Sequence, residues 1–307
     1  MKIPGLGALH YRFITKPRDA FDVWLGRRHL SKFRDSIQSL SPFPATPPNE
    51  ANAIRASYLT GTRFLYQTVF SAYSLLRHCP ENIRIRIVSD GSLQDSDYAL
   101  LDRLFPGRVD RESEAAQTAR FEQAFPAQQF PHLRKWRGLG ALFRKLTDVH
   151  GGSSDWNLLI DSDTYFHAHP TLLMQCARDQ RRPCMARDRW TNYGYSVDEL
   201  QKLAGYPVLP EMNSGLVGLA GSSIDWSKIE FWLGRMAEGN GNNHFFEQGM
   251  TAMMVSSLDP VRLPLADYRL CPDRAEILNP TAAFHHYAGN SKFQFIRYNV
   301  PTELFEH

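Results

Sequence analysis

Two aspartates separated by a single residue indicate the chemistry of this sequence most directly. Asp161 and Asp163, with Ser162 between them, follow the apolar run 158–160 (LLI). Side chains at positions i and i+2 of an extended chain point to the same side, so both carboxylates would face one ligand. Carboxylate oxygens are preferred ligands of hard divalent cations. The pair therefore indicates a site for a divalent cation and a phosphate-bearing ligand at the end of a buried strand, although Asp and Ser are also common in turns that bind nothing.

A second motif lies near the end of the chain. Residues 284–293 read FHHYAGNSKF, which places His286, Gly289 and Lys292 at a His-x-x-Gly-x-x-Lys spacing. Together with the Asp-Ser-Asp motif, this segment resembles the retaining GT-A glycosyltransferases of the glycogenin and bacterial lipopolysaccharide glycosyltransferase family, family eight. The resemblance extends over residues 53–292.

This resemblance implies both a fold and an activity. The fold would be α/β of the GT-A, Rossmann-like type, with a mostly parallel central sheet flanked by helices. The activity would be metal-dependent transfer of a hexose from a nucleotide sugar to a saccharide or lipid-linked acceptor. A UDP-sugar donor and retention of the anomeric configuration are further implications of the same resemblance.

The resemblance also implies which residues hold the cation. The ligands would be Asp161, Asp163 and His286, and Lys292 would reach the diphosphate. One imidazole among carboxylate oxygens favours Mn²⁺, with Mg²⁺ as the alternative. The cation would neutralise the charge that grows on the diphosphate as it leaves. Gly289 would let the backbone come close to the phosphates.

The candidate catalytic residues are Gln248, Glu247 and Asp188. Gln248 matches the residue that the family places beside the anomeric carbon, and we expect it to stabilise an oxocarbenium-like centre because an amide is a poor nucleophile. Glu247 stands where the family usually has Asp, and it is the alternative nucleophile. Asp188 closely follows the predicted short strand 184–186.

Residues that would contact the nucleotide sugar come from several segments. A strand followed by a glycine turn and a helix N-terminus is a natural phosphate cradle. Lys145 belongs to an FRKL segment that resembles the family's Phe-x-Lys-Leu element, although it would also suit a basic, solvated helix face. The family's Asn-Ser-Gly element is matched at 213–215. The full set is Thr60, Gly61, Thr62, Asp90, Lys145, Ser162, Asn213, Ser214, Gly289 and Lys292.

The elements that would position these residues alternate between strand and helix. Residues 53–59 and 83–89 predict strands, and residues 63–78 and 95–105 predict helices. This alternation implies a parallel sheet with right-handed crossovers. Further along, residues 117–150 predict a mostly helical region.

The N-terminal segment is predicted to stand apart from this alternation. Residues 17–40 predict an amphipathic helix with basic side chains, and the proline-rich stretch 41–49 (SPFPATPPN) predicts an extended linker. We therefore expect an N-terminal helical extension over 1–48 and a GT-A domain over 49–307. The helix would dock on that domain, or lie on an anionic membrane. The aromatic tail 293–305 would likewise pack against the domain or approach a membrane.

Composition excludes several classes of protein. The chain has 307 residues, 43% of them hydrophobic and 22% charged, and its net charge of +3 does not indicate nucleic acid as a partner. No run approaches the ~18 apolar residues of a membrane span. The four cysteines have no framework or Cys-x-x-Cys spacing, which indicates reduced thiols. We expect a cytoplasmic protein, with peripheral membrane contact as an alternative.

Two other functions are compatible with the same residues. Residues 59–65 (LTGTRFL) partly resemble the glycine-rich loop of sugar-1-phosphate nucleotidyltransferases. A non-catalytic sugar-nucleotide-binding protein on the same fold is the third alternative. The products separate these functions, because a transferase releases a nucleoside diphosphate, a nucleotidyltransferase releases pyrophosphate, and a binding protein releases neither.

Overall fold

The computed structural model describes residues 17–45, 53–237 and 245–298. A seven-stranded sheet lies at its centre, and a three-stranded sheet lies beside it. The large sheet has the order β3-β2-β1-β4-β7-β6-β8, formed by β1 (Ile54–Thr60), β2 (Ile83–Ser89), β3 (Val109–Arg111), β4 (Trp156–Ile160), β6 (Cys184–Arg187), β7 (Met212–Ala220) and β8 (Val261–Leu263). The small sheet has the order β5-β10-β9, formed by β5 (Thr164–Phe166), β9 (Tyr268–Leu270) and β10 (Phe284–His286).

Helices cover both sheets. They are α1 (Pro17–Asp35), α2 (Leu65–His78), α3 (Asp95–Leu104), α4 (Glu114–Ala124), α5 (Pro131–Arg137), α6 (Arg144–His150), α7 (Thr171–Asp179), α8 (Val197–Ala204), α9 (Trp226–Ala237), α10 (Phe246–Ser256), α11 (Arg274–Leu278) and α12 (Ser291–Tyr298). The predicted helix 17–40 ends at Asp35 and continues as a short 3₁₀ turn. The predicted helical region 117–150 is divided among α4, α5 and α6.

The large sheet is mostly parallel, as the sequence predicts. Parallel pairs join β1 to β2, β1 to β4, β2 to β3 and β6 to β8, whereas β7 is antiparallel to both of its neighbours. Every residue of β4 is buried, because the apolar run that was predicted as a two-sided strand has elements packed on both faces. The observed fold is therefore the expected α/β architecture with a central, mostly parallel sheet.

The small sheet was not predicted, because its strands are only three residues long. β10 pairs antiparallel with β5, and His286 lies opposite Thr164. One face of α2 holds β5 in place: the Ser71 hydroxyl lies 2.6 Å from the Thr164 hydroxyl, and the Ser74 hydroxyl accepts a 3.0 Å hydrogen bond from the Phe166 amide. Residues 71 and 74 share a helix face because they are three apart.

Helix α1 packs against the body of the protein. Phe33, Ile37 and Leu40 are buried in the same hydrophobic cluster as the strands of the large sheet. At Gly26 a Cβ atom would lie 1.9 Å from the carbonyl oxygen of Phe293, so the two backbones of α1 and α12 are in close contact. The linker predicted at 41–49 and the tail predicted at 293–305 lie partly outside the described residues, and the division at residue 48 stays a prediction. Within the part of the chain that the structure describes, no helix is both long and apolar enough to span a bilayer.

Candidate functional site

The strand directions bring the predicted site residues to one edge of the large sheet. β1, β2, β4 and β6 run the same way, so their carboxyl ends meet at this edge. β7 runs the opposite way and therefore brings its amino end there. Asp90 follows β2, Asp161 follows β4, Asp188 follows β6, and Asn213 lies at the start of β7. This edge is where open α/β sheets bind their ligands.

The small sheet brings His286 to the same place. β5 begins one residue after Asp163, and it pairs with the strand that ends at His286. The amide of Tyr287 also donates a 2.7 Å hydrogen bond to the carbonyl oxygen of Asp163. These backbone contacts explain how side chains so far apart in sequence meet.

Asp161, Asp163 and His286 form a cluster that fits a divalent cation. One potential ligand atom from each side chain lies within 4.8 Å of the other two. His286 Nε2 is 3.1 Å from one oxygen of Asp163 and 3.8 Å from one oxygen of Asp161. Two carboxylates and an imidazole are a donor set that suits Mn²⁺ and other divalent ions.

The electrostatics of the cluster favour a charged Asp163 beside a basic imidazole. Burial disfavours the charge on Asp163, but His286 and Lys292 outweigh it and hold the pKa of Asp163 well below its usual range. Burial alone would lower the pKa of His286, but the carboxylates of Asp163 and Asp161 raise it above the ordinary value of 6.5. Lys292 Nζ lies 3.3 Å from the second oxygen of Asp163.

Strand β7 fixes the orientation of the His286 ring. The Asn213 side-chain oxygen lies 3.1 Å from His286 Nδ1 and accepts a 2.9 Å hydrogen bond from the amide of Gly215. An imidazole that ligates a metal through one nitrogen is usually oriented by a polar partner at the other. A Cβ atom at position 215 would lie 2.3 Å from His286 Cε1, so only glycine leaves room for the ring. Neither role followed from the sequence, where the Asn-Ser-Gly element was matched only to sugar contacts.

Lys145 lies inside the site and not on a solvated helix face. Its ammonium group is buried and lies 2.7 and 2.9 Å from the two oxygens of Asp161. It also lies 3.8 Å from Glu247. Burial alone would lower the pKa of Lys145, but these two carboxylates raise it, so the group is charged. Lys145 thus forms a buried ion pair with Asp161.

Glu247 and Gln248 begin helix α10 and are both buried. The oxygens of Glu247 accept hydrogen bonds of 2.7 Å from the Ser214 hydroxyl and 2.9 Å from the Thr251 hydroxyl. Burial raises the pKa of Glu247, although Lys145 and Ser214 favour its charged form. The carboxylate is therefore held by neighbours on both oxygens.

Gln248 lies in a polar network with Asp188. Its side-chain oxygen accepts a 3.0 Å hydrogen bond from the amide nitrogen of Asn213. Its own amide nitrogen donates to Asp188 at 3.3 Å and to the carbonyl oxygen of Asn192 at 3.1 Å. Burial raises the pKa of Asp188, although the amides of Trp190 and Arg189 favour its charged form. Ser214 connects this network to Glu247, because its amide donates a 3.4 Å hydrogen bond to Gln248 and its hydroxyl donates to Glu247.

Thr60 ends β1, and Gly61, Thr62 and Asp90 lie in the loops after β1 and β2. A Cβ atom on Gly61 would lie 2.2 Å from an oxygen of Asp90, so glycine permits the two loops to touch. Thr62 donates a 2.6 Å hydrogen bond to the carbonyl oxygen of Ser92. The Thr68 hydroxyl of α2 lies 2.7 Å from the hydroxyl of Thr60.

The same Thr68 hydroxyl connects these loops to the cation cluster, because it lies 2.9 Å from the hydroxyl of Ser162. Gly289 lies in the loop between His286 and Lys292. Its φ is +62° and its Cβ position is open, so glycine is needed there for the backbone conformation.

The fold is also found in solved glycosyltransferase structures. Mouse xyloside xylosyltransferase 1 in its apo form aligns over 78% of this chain and 99% of its own, with 13% identity and a TM-score of 0.54. The galactosyltransferase LgtC in complex with donor and acceptor sugar analogues aligns over 81% of this chain and 98% of its own, with 11% identity and a TM-score of 0.53. No protein-family model matches the sequence, and no curated protein matches it. At these identities the likeness is one of fold, and the chain has the GT-A fold of these structures.

Proposed function

We propose that the protein is a metal-dependent glycosyltransferase that moves a hexose from a UDP-sugar to a saccharide or lipid-linked acceptor, with retention of configuration. One observation carries the proposal: Asp161, Asp163 and His286 converge to within 4.8 Å at the ligand-binding edge of a GT-A fold. Nothing local in the sequence requires these three side chains to meet. Membership of family eight is part of the proposal and rests on the motifs described above.

The cation would be held by Asp161, Asp163 and His286, and we propose Mn²⁺, with Mg²⁺ as the alternative. When bound, the ion supplies a Lewis acid for the diphosphate leaving group. Lys292 is half-buried beside Asp163 and would add a compact positive charge on the same phosphates. Lys145 forms a buried ion pair with Asp161.

The sugar would lie against the amino ends of β7 and α10. Asn213 and Asp188 orient Gln248 and hold its side-chain amide beside the proposed sugar site. We propose that Gln248 stabilises positive charge at the anomeric carbon. Glu247 is bonded on both oxygens by Ser214 and Thr251, which favours a positioning role over attack on the sugar.

The nucleotide would contact the loops after β1 and β2. Thr60, Gly61, Thr62 and Asp90 are packed together there, and Ser162 connects them to the cation cluster through Thr68. We propose these loops as the base and ribose site, and all of the proposed site residues lie within 49–307.

The proposal also includes peripheral contact of α1 with a membrane. Phe21 and Trp24 are exposed, and their rings stack 5.8 Å apart beside Arg28. Aromatic and cationic side chains on one helix suit an anionic lipid surface. Co-sedimentation with anionic vesicles should decrease in a Trp24→Ala variant, and an unchanged bound fraction would remove this part of the proposal.

The test of the enzymatic proposal is a panel of nucleotide sugars scored for Mn²⁺-dependent release of the nucleoside diphosphate. We expect release with one donor, and loss of at least ~100-fold in Asp163→Asn, because the substitution removes a charged ligand. Asp110→Asn, which alters a carboxylate paired with Arg84 on the far edge of the sheet, is the matched control and should keep full activity.

The products also decide between the alternatives. Release of pyrophosphate from a sugar 1-phosphate and a nucleoside triphosphate would identify a nucleotidyltransferase. Tight binding of a nucleotide sugar without release of either product would identify a binding protein. Equal activity of the wild type and Asp163→Asn would overturn the proposed site.

A further inference from the structure

A second group of metal-ligating side chains lies away from the site described above. The Cys79 thiol, a carboxylate oxygen of Glu81 and a ring nitrogen of His169 all lie within 4.8 Å of one another. Cys79 and Glu81 lie between α2 and β2, and His169 lies between β5 and α7. Since α2 begins at the ligand-binding edge and runs back along the sheet, this cluster lies near the opposite end of α2.

Two of the three residues precede a proline. Cys79 precedes Pro80, and its φ of −117° and ψ of 108° are the extended conformation that a following proline enforces. His169 also precedes a proline, Pro170. A following proline thus restricts the backbone of both Cys79 and His169.

Burial and unmet hydrogen bonding point to a ligand at this place. The side chain of Glu81 is only 9% exposed, and its oxygen Oε2 is buried without a hydrogen-bond partner. The other oxygen lies 2.9 Å from His169 Nε2 and 3.5 Å from the guanidinium of Arg178. A buried carboxylate oxygen without a partner is costly, and a bound cation would satisfy it.

We propose that Cys79, Glu81 and His169 bind a Zn²⁺ ion. A thiolate, an imidazole and a carboxylate are all common zinc ligands, and three protein ligands leave one position for water. The soft thiolate distinguishes this site from the oxygen-rich cluster at Asp161. The ion would cross-link the end of α2 to the segment between β5 and α7.

Charge and protonation are compatible with this ion. A thiolate and a carboxylate balance the two charges of Zn²⁺, so Glu81 would no longer need Arg178, whose side chain is 56% exposed and free to turn to solvent. Zn²⁺ binds cysteine as the thiolate, so binding would release the thiol proton.

The test is a titration of metal-free, full-length protein with Co²⁺, which substitutes for Zn²⁺ and gives a thiolate-to-metal charge-transfer absorption only when sulfur is bound. To remove the other cluster, the titration uses the Asp163→Asn background. We expect this absorption in that background, displacement of Co²⁺ by Zn²⁺, and no absorption after Cys79→Ser. Cys176→Ala, which removes a buried thiol from α7 outside the cluster, is the matched control and should keep it.

If Cys79→Ser does not fold, a His169→Gln variant tests the same site. His169→Gln retains the thiol and changes a half-buried side chain, and it should weaken Zn²⁺ binding by about tenfold or more. Absence of the charge-transfer absorption in the starting protein, its persistence in Cys79→Ser, or unchanged Zn²⁺ affinity in His169→Gln would each overturn the site. None of these results depends on glycosyltransferase activity, so the two proposals succeed or fail separately.

Discussion

At the scale of single residues, the imidazole of His286 owes its position to its neighbours more than to its own motif. Asn213 contacts Nδ1, Asp163 contacts Nε2, and Gly215 leaves the space that the ring fills. The ring is thus fixed before a cation arrives, which lowers the entropic cost of binding one.

Replacement of Gly215 by alanine should weaken metal binding while leaving the fold intact. The added methyl group would lie 2.3 Å from His286 Cε1, so the ring must turn away from Asp163. We expect a loss of Mn²⁺ affinity of about 10- to 100-fold, as for other changes that disturb ligand orientation, measured by calorimetry. Gly205→Ala, at the end of α8 where nothing lies near the added carbon, is a control for affinity; it should leave Mn²⁺ binding unchanged. A Gly215→Ala variant with wild-type affinity would contradict this account of the ring's position.

Acid should weaken metal binding through His286. The pKa of His286 in the free protein is raised above 6.5, so protons compete with the cation already at pH values above 6.5. Mn²⁺ affinity is then highest above this raised pKa and falls as the pH falls through it. Titrations between pH 6 and 8 check this, and His286→Ala, which lacks the competing proton, should bind weakly with a flatter pH profile. An affinity that is independent of pH in the wild type would show that His286 is not a ligand.

At the scale of elements, α1 supports the helix that carries Lys292. Lys292 lies in the first turn of α12, and the next residue, Phe293, is in backbone contact with Gly26 of α1. The guanidinium of Arg27 lies 4.8 Å from the centre of the Phe293 ring. A change in α1 can therefore reach the candidate phosphate site through one contact.

Gly26→Ala should destabilise the protein. In the interior of an exposed helix this substitution usually stabilises by about 1 kcal/mol, but here the methyl group would meet a backbone carbonyl at 1.9 Å. Overpacking of this kind costs about 1–3 kcal/mol, and the shift of α12 should also raise the KM for the donor. Gly234→Ala in α9 is the matched control, since its Cβ would meet only the half-exposed ring of His132 at 3.1 Å. Thermal unfolding measures both variants, and equal melting temperatures for Gly26→Ala and the wild type would contradict the close packing of α1 on α12.

At the scale of the whole molecule, the segment 33–40 contributes to the main hydrophobic core. The sequence favours an extension that can be removed without loss of donor chemistry, because every matched motif follows the proline-rich stretch. The contacts of Phe33, Ile37 and Leu40 with the core predict a different outcome. Arg103 of α3 also donates a 3.0 Å hydrogen bond to the carbonyl oxygen of Leu40.

Removal of residues 1–48 should unfold the protein or lower its melting temperature steeply. Burial of three large apolar side chains stabilises by roughly 5–9 kcal/mol, which is comparable to the ~5–15 kcal/mol net stability of a typical domain. Circular dichroism during heating measures the effect. A truncated protein that melts like the full chain and still releases the nucleoside diphosphate would show instead that α1 is an independent extension.

The sequence by itself determined the alternation of strands and helices and the residues that reach the ends of strands. Local patterns suffice for this, because a buried strand is an uninterrupted apolar run and its polar exit is visible as Asp161-Ser162-Asp163. The same patterns also placed Gln248 at the start of a helix. These patterns did not predict strand β5, because three residues carry too little periodicity to identify a strand.

The resemblance implied that Asp161, Asp163 and His286 share a site, but only the tertiary structure shows how they meet and which neighbours hold them. The reversed direction of β7 brings Asn213 and Gly215 to the carboxyl ends of its neighbours, and the pairing of β10 with β5 brings His286 to Asp163. The tertiary structure also places Lys145 beside Asp161, where the sequence allowed a solvated side chain. It likewise brings Cys79 close to His169. Contacts between segments distant in sequence depend on strand order and register, and a single sequence fixes these only through the energy of the whole packed core.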